Sequence, residues 1–288
     1  MVIYLKLLLT AIFWGGTFVA GRSLTQHVGP YSAAFFRFAV ATLFLVFITW
    51  KVEGKLTLLT KGQLLPVILL GLSGVFFYNV FFFKGLKLIE AGRAAIIIAN
   101  NPILIALLSA VIFKETLNAT KATGIVISVI GAILAISKGD LRVIFHGNLG
   151  WGEVYIFLCV ASWVAFSLLG KAVMSGLSPL ASVTYSSLTG TILLFTPAFS
   201  EGLSKCIHYS ITDWWNIFYL GFFGTVLGFV WFYEGIKKIG PTKAGLFINF
   251  VPISAILMAF LFLDEPLTFS LLVGALLVTT GVYLTNRP

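Results

Sequence analysis

Long apolar runs, separated by short polar or charged connections, fill nearly the whole of this sequence. A helix needs about 20 apolar residues to cross the hydrocarbon core of a bilayer. Membrane strands alternate polar and apolar residues, which these runs do not do, so we predict helices. Ten runs qualify as spans: Leu5–Gly21, Tyr31–Trp50, Leu64–Phe83, Ala94–Phe113, Ala122–Ser137, Gly152–Gly170, Pro179–Phe199, Trp214–Tyr233, Ala244–Leu263 and Thr268–Thr285.

The composition agrees with a chain that lies in lipid. Only 10% of the residues are charged and 59% are apolar, whereas soluble domains carry about 25% charged residues. The net charge of +9 comes from Lys and Arg in short clusters between the runs, as in cytoplasmic loops and at headgroups. No basic stripe or motif indicates nucleic-acid binding. We therefore predict an all-α polytopic membrane protein whose surroundings are the lipid bilayer.

The chain contains an internal duplication. Gly85–Ile133 aligned with Gly235–Tyr283 gives 12 identities in 49 positions at an offset of 150, and these include Gly, Lys, Pro and Glu as well as apolar residues. Each copy holds five predicted spans. Because five is odd, the second copy must enter the membrane from the opposite side, which predicts two inverted five-helix repeats. We assign residues 1–138 to the first repeat, 139–149 to a connecting loop and 150–288 to the second.

The amino-terminal segment resembles a signal peptide, with a basic residue, an apolar core and a small-residue end. However, Phe13–Pro30 aligns with Ser162–Pro179 in the middle of the chain, matching Trp14 with Trp163. A segment with such a counterpart is part of the fold, and we predict that it forms the first span.

Basic residues set the predicted orientation. With the amino terminus inside, eleven Lys and Arg residues fall on the cytoplasmic side and seven on the other. The positive-inside rule then favours both termini in the cytoplasm. Cys159 lies in an apolar run and Cys206 in a polar loop, so we expect no disulfide between them. No cysteine or histidine spacing indicates a metal site, and we expect no cofactor.

Several segments resemble a known family. AIFWGGTFVAGR in the first span, FFRFAVATLFLV in the second, and the Pro followed by Glu-x-Leu in the fourth and ninth resemble the drug/metabolite transporter superfamily, in particular its ten-helix EamA-type members. The resemblance covers essentially the whole chain. It implies a bacterial inner-membrane transporter, often an exporter of amino acids or related metabolites, that works by alternating access around a central cavity. The second copy departs from the first at Ser186, where the first copy has Arg37.

Acidic residues are nearly absent from the predicted spans. Glu153 and Glu234 lie near span ends, and the matched Glu115 and Glu265 follow spans four and nine. A proton-coupled antiporter usually has a carboxylate at mid-depth, so we expect facilitated or weakly coupled transport. For Glu115 and Glu265 we favour capping of the next helix, or pairing with Lys, over a role in transport.

Arg37 is the basic residue inside a predicted span, roughly 9 Å from its start at about 1.5 Å per residue. One interpretation is a structural arginine that bonds carbonyls or reaches headgroups by snorkelling. The other is a contact for a substrate carboxylate or a gate. Phosphorylated substrates would need two or three cations, which disfavours nucleotide sugars and sugar phosphates.

Amides and aromatic side chains complete the candidate substrate site. Asn100, Asn101 and Asn249 lie beside the prolines of spans four and nine, where a broken helix exposes carbonyls if it lines a cavity; interhelical hydrogen bonding is the alternative. Trp14 and Trp163 are matched between the copies, and an aromatic wall suits flat or apolar side chains or cations. Packing is the alternative for each ring. The predicted substrate-binding residues are Trp14, Thr17, Arg37, Tyr78, Asn79, Asn100, Asn101, Trp163, Ser167, Trp231 and Asn249.

The predicted function is export of amino acids or similar small metabolites. The alternatives are a nucleotide-sugar, sugar-phosphate or drug carrier, and less favoured still a channel or a membrane-embedded enzyme. No nucleophile with a base and no cluster of acids is visible, since the Ser167 and Lys171 spacing is common in any helix. We expect a small-molecule substrate, no nucleic-acid partner, and a monomer or weak homo-oligomer.

Overall fold

The computed structural model describes residues 1–54, 58–112, 118–140, 150–173 and 177–285, and within these ranges the secondary structure is helical without strands. Eight of the described helices are long and apolar enough to cross a membrane. The prediction of an all-α polytopic membrane protein is therefore confirmed. The helices are α1 Val2–Leu24, α2 Pro30–Glu53, α3 Lys61–Leu88, α4 Ala91–Ile98 resuming as Asn101–Ile112, α5 Ala119–Ser137, α6 Trp151–Val173, α7 Pro179–Glu201, α8 Ile211–Ile239, α9 Lys243–Leu263 and α10 Phe269–Thr285.

The exact number of spans stays a prediction. Helix α10 has 17 residues, and α7, although 23 residues long, is not among the eight helices that meet both the length and the apolarity criteria. Serine and threonine residues on the buried side of α7 account for its lower apolarity. Several predicted boundaries also move outward, most clearly in α3 and α8, which have 28 and 29 residues.

Helices α2 and α7 pack against each other with reciprocal caps. Each begins with a proline at its first position, where the missing N–H has no helical partner in any case. Glu201 at the end of α7 accepts hydrogen bonds from the backbone N–H and the hydroxyl of Ser32, at 2.7 and 2.8 Å. Glu53 at the end of α2 accepts one from the hydroxyl of Ser178, the residue before α7. The two helices are therefore antiparallel.

Helices α5 and α10 approach closely through glycines seven residues apart. A Cβ atom on Gly131 would lie 2.8 Å from the carbonyl oxygen of Gly274, and one on Gly124 would lie 2.6 Å from that of Gly281. Such distances leave no room for any side chain. The absence of side chains is what lets these two backbones pack together, as in other membrane helix pairs.

The remaining helices form two groups of three. Helix α1 packs on α8 and α9, and α6 packs on α3 and α4. If each helix is exchanged with the helix five places along the chain, α1, α8 and α9 become α6, α3 and α4, so the two groups change places. The same exchange converts the pairs α2–α7 and α5–α10 into themselves. Such an arrangement is what a pseudo-two-fold relation between two halves produces. The inverted repeat and its residue boundaries stay predictions.

Helices α3 and α8 each contain a π-helical segment, Gly71–Phe77 and Tyr219–Leu227. The two segments begin at nearly equivalent positions of the two copies. A π-helical turn shifts the residues that follow it around the helix axis and is frequent at functional sites. Both segments border the polar cluster described next.

Candidate functional site

A buried polar cluster joins three of the long apolar helices. The guanidinium of Arg37 on α2 donates from Nε to Thr225 Oγ1 at 3.1 Å and from Nη1 to Asn79 Oδ1 at 3.0 Å. Asn79 belongs to α3 and Thr225 to α8, so the cluster draws on both halves of the chain. Arg37 is 7% exposed, Asn79 1% and Thr225 0%.

The partners of Arg37 are held in place by their own helices. Asn79 donates from Nδ2 to the carbonyl of Val75 at 2.8 Å, and the Thr225 hydroxyl donates to the carbonyl of Leu220 at 2.9 Å. Both carbonyls lie in or beside the π-helical segments. The amide oxygen of Asn79 and the lone pairs of Thr225 are thereby directed towards the guanidinium.

The burial of the cluster corrects one interpretation of Arg37, which is 7% exposed. Thr225 is the middle residue of the 29-residue α8, and the guanidinium lies 5.5 Å from the ring centre of Phe38 and 5.9 Å from that of Phe82. Arg37 therefore points into the protein and does not snorkel to the headgroups. Hydrogen bonds to neutral side chains and ring faces surround its charge instead.

A row of aromatic rings runs beside the cluster and connects the two halves. The ring of Phe229 lies 5.8 Å from Trp14 and 6.3 Å from Trp163. Trp163 lies 5.2 Å from Tyr78, which stacks on Phe82 at 6.0 Å. Apart from Phe82, these rings are half-buried. The row therefore brings together the predicted residues Trp14, Tyr78 and Trp163.

The two copies differ where the row meets the cluster. At an offset of 150, Tyr78 corresponds to Gly228 and Asn79 to Phe229. A Cβ atom on Gly228 would collide with the indole of Trp14, so this glycine lets Trp14 approach α8. At these two positions the first copy therefore supplies polar groups, whereas the second copy supplies a glycine and an aromatic ring.

Trp14 and Thr17 are fixed against the π-helical segment of α8. The indole N–H of Trp14 donates to the carbonyl of Gly224 at 2.9 Å, and the hydroxyl of Thr17 donates to the carbonyl of Trp14 at 2.6 Å. A Cβ atom on Gly224 would lie 2.5 Å from the methyl group of Thr17. Thr17 is therefore a packing residue behind the row.

The asparagines of the broken helix lie apart from the cluster. Asn100 donates to the carbonyl of Ile96 at 2.9 Å and accepts from the hydroxyl of Ser128 on α5 at 2.7 Å, which is the interhelical bonding given above as the alternative. Asn101 is 8% exposed, and its Oδ1 has no hydrogen-bond partner among the described residues. Asn249 is half-buried in a short 3₁₀ turn, Phe247–Asn249, that interrupts α9.

Two other predicted residues also lie outside the cluster. The hydroxyl of Ser167 donates to the carbonyl of Trp163 within α6 at 2.8 Å, and the side chain of Lys171 lies outside the described residues. Trp231 packs against Phe13 at 5.7 Å, with the amine of Lys6 5.9 Å from its ring centre. Trp231 therefore lies against the amino-terminal half of α1.

The described acidic residues lie at helix ends. Glu153 pairs with Arg93 at 2.7 Å and Glu234 with Lys6 at 2.6 Å. Glu265 accepts from the backbone N–H groups of Ala91 and Gly92 at 2.7 and 3.1 Å. Glu265 therefore caps α4 of the other half. The expectation that it caps the helix that follows it is wrong. Glu115 lies outside the described residues.

The cluster and the rings beside it offer hydrogen-bonding groups and aromatic faces. Within the described ranges, no three His, Cys, Asp or Glu side chains come together as metal ligands, and both cysteines are free thiols. The guanidinium keeps free N–H donors for a small polar group, because its bonds to Thr225 and Asn79 use only two of its five, and the aromatic faces beside it offer a flat surface to an apolar group.

A separate crevice of about 540 Å³ lies between α1, α8 and α9. Its apolar part includes Gly16, Phe223 and Met258, and its polar end includes Asn216, which donates to the hydroxyl of Ser23 at 3.2 Å. No predicted site residue lines it. The crevice is therefore distinct from the polar cluster.

Two members of the site were not predicted from the sequence. Thr225 and Phe229 lie in an apolar stretch of α8 without any distinguishing spacing. At the offset of 150, Thr225 corresponds to Val75 and Phe229 to Asn79. The correspondence of Phe229 with Asn79, already a candidate, was the one signal available in the sequence.

Comparisons with known proteins cover nearly the full length. The model of the EamA-like transporter family matches residues 1–137 and again 150–287. The uncharacterized transporter YyaM of Bacillus subtilis (strain 168) is 31% identical over 281 residues, 97% of this chain and 92% of that protein. An uncharacterized transporter of Archaeoglobus fulgidus is 29% identical over 99% of this chain and 98% of its own.

Two further matches have lower sequence identity. The chloroplastic WAT1-related protein At3g02690 of Arabidopsis thaliana is 26% identical over 96% of this chain and 67% of its own. A solved crystal structure matches 98% of this chain and 96% of its own with a TM-score of 0.66 at 16% identity. At that identity, the structural match concerns the fold alone.

Proposed function

This chain belongs to the EamA-like transporter family and is a membrane transporter, and we propose that it exports amino acids or similar small metabolites by alternating access between its two halves. The cluster of Arg37, Asn79 and Thr225, with the aromatic row beside it, is the proposed substrate site. The bilayer that holds it is proposed to be a bacterial inner membrane, with both termini in the cytoplasm.

The observation that carries this proposal is the composition of the cluster. Its side chains come from α2 and α3 of the first half and from α8 of the second, and they meet in the buried interior between the halves. A carrier that exposes one site alternately to each side needs that site where its moving halves meet. The aromatic row, which runs from Trp14 to Tyr78 through both halves, supports the same location.

The test is flux into liposomes that contain the purified protein. A panel of labelled amino acids and their hydroxy-acid and keto-acid analogues is offered, with protein-free liposomes as the blank. We expect saturable uptake that accelerates when unlabelled substrate is preloaded, because a carrier exchanges substrate whereas a channel does not. The absence of saturable uptake for every compound would contradict the proposal.

A matched pair of variants locates the site. Trp163→Ala removes a ring from the row and should lower uptake about three- to tenfold, as expected for losing aromatic contacts. Trp50→Ala removes a ring that is 55% exposed at the end of α2 and should leave uptake unchanged. Equal effects of the two changes would remove the row from the proposed site.

A further inference from the structure

We propose that the site binds its substrate as a monoanion, with the substrate carboxylate on Arg37, so that small apolar carboxylates are preferred over zwitterionic amino acids of the same shape. This inference rests on the proposed function. It goes beyond that function because it fixes the net charge of the substrate.

The first step is the charge of the site without substrate. Arg37 contacts an amide oxygen, a hydroxyl and two ring faces, all of them neutral. Arginine stays protonated in proteins. The cluster therefore carries a buried positive charge that its own hydrogen bonds solvate without neutralising it.

The second step is the position of the carboxylates. In the described ranges each acidic side chain lies at a helix end, away from the cluster. Glu153 and Glu234 are engaged in ion pairs, whereas Glu201 and Glu265 cap helix amino termini. Among the described residues, no carboxylate bonds Arg37, whose hydrogen bonds go to Thr225 and Asn79.

The third step is the charge of the occupied site. A buried charge without a counter-ion is unfavourable in a low-dielectric environment. A monoanion makes the occupied site neutral, whereas a zwitterion leaves the net charge at +1 and a cation raises it to +2. The two bonds to Asn79 and Thr225 use two of the five N–H donors of the guanidinium, and arginine commonly holds a carboxylate through two parallel donors.

The aromatic row selects the rest of the molecule. Phe229, Trp163 and Tyr78 present half-buried ring faces next to the cluster. Among the described residues, no carboxylate accompanies these rings to receive an ammonium group. The geometry therefore favours a carboxylate attached to a flat or branched apolar body.

The test compares three probes that share one ring and differ in charge. These are 3-phenyllactate, phenylalanine and phenethylamine, which are a monoanion, a zwitterion and a cation at neutral pH. Binding to the full-length protein in nanodiscs is measured by calorimetry. We expect phenyllactate to bind at least about tenfold more tightly than phenylalanine, because the ammonium group of phenylalanine loses its hydration without gaining a carboxylate partner, and phenethylamine to bind most weakly.

A near-isosteric variant tests the electrostatic cause. Asn79→Asp places a carboxylate against Arg37, where Asn79 Oδ1 now lies at 3.0 Å, and should abolish the preference for phenyllactate. Asn216→Asp makes the same change in the separate crevice and should retain that preference. Both proteins are checked for monodispersity, and Thr225→Asp serves as a second local carboxylate if Asn79→Asp does not fold.

The outcomes separate the two proposals. Equal or tighter binding of phenylalanine, or a preference that survives Asn79→Asp, would overturn the monoanion assignment. Saturable flux of a zwitterionic amino acid in the liposome panel would in that case leave the proposed transport function standing. The transport function itself fails only if no compound in the panel is transported.

Discussion

At the scale of single residues, Arg37 decides the character of the site. Its place in the second span was predicted from the sequence, but its environment depends on Asn79 and Thr225, which lie 42 and 188 residues away. An isolated charge at mid-bilayer is costly. The hydroxyl and the amide reduce that cost, so they are expected to contribute to stability as well as to binding.

Two threonines allow this contribution to be measured. Thr225→Val removes a hydroxyl that accepts from a charged group and should destabilise the protein by about 1.5 to 3 kcal/mol. Thr191→Val removes a hydroxyl that bonds Thr42 across α2 and α7 at 3.1 Å and should cost about 0.6 kcal/mol, the average for such interhelical bonds. Equilibrium unfolding in detergent gives both values. Similar losses would mean that Arg37 is not specially stabilised by Thr225.

At the scale of helices, glycines decide which elements approach closely. The seam between α5 and α10 uses Gly124, Gly131, Gly274 and Gly281, and a Cβ atom at any of them would meet backbone atoms of the other helix. The glycine matches between the copies were visible in the sequence. Their pairing across α5 and α10 was not, because a repeat does not say which of its members touch.

A pair of glycine substitutions tests the seam. Gly131→Ala brings a methyl group to about 2.8 Å from the Gly274 carbonyl oxygen and should lower stability by about 1 to 3 kcal/mol, as overpacking does. Gly62→Ala, with no atom within 4 Å of the added carbon, should be neutral or stabilising by up to about 1 kcal/mol, because alanine favours helix. Thermal unfolding in detergent distinguishes them. A tolerated Gly131→Ala would show that the helices separate readily.

At the scale of the whole molecule, the two copies give a framework that is nearly symmetric and a site that is not. Reciprocal caps join α2 and α7. Exchanging each helix with the helix five places along the chain converts the group α1, α8 and α9 into the group α6, α3 and α4. The symmetric framework suits two states of similar energy. The second copy has Gly228 and Phe229 where the first copy has Tyr78 and Asn79, so the polar groups at these two positions come from one half alone.

The proposed orientation is testable with the native cysteines. Cys206 lies between α7 and α8 and is half-buried, whereas Cys159 is buried in α6. With both termini inside, a membrane-impermeant maleimide added to intact cells should label Cys206. Cys206→Ser should abolish the labelling, since Cys159 is inaccessible. Labelling that requires permeabilised cells would reverse the orientation.

The sequence by itself determined the class of the fold, and it predicted the duplicated unit and the residues of the proposed site. Apolar runs of membrane length have few alternatives to helices, because unsatisfied backbone groups are excluded from hydrocarbon. Repeated Gly, Pro and Glu residues at one offset likewise identify a duplication. Arg37, Trp14, Trp163, Tyr78 and Asn79 stood out because polar or matched large residues are unusual inside such runs.

Only the tertiary structure decided which of these candidates meet. It separated Asn100 from the cluster by bonding it to Ser128, assigned Glu265 to the amino terminus of α4 in the other half, and added Thr225 and Phe229. The reason is that helix contacts depend on rotation about each axis and on crossing position. In α3 and α8 the π-helical segments change that rotation, and periodicity in the sequence carries no record of it.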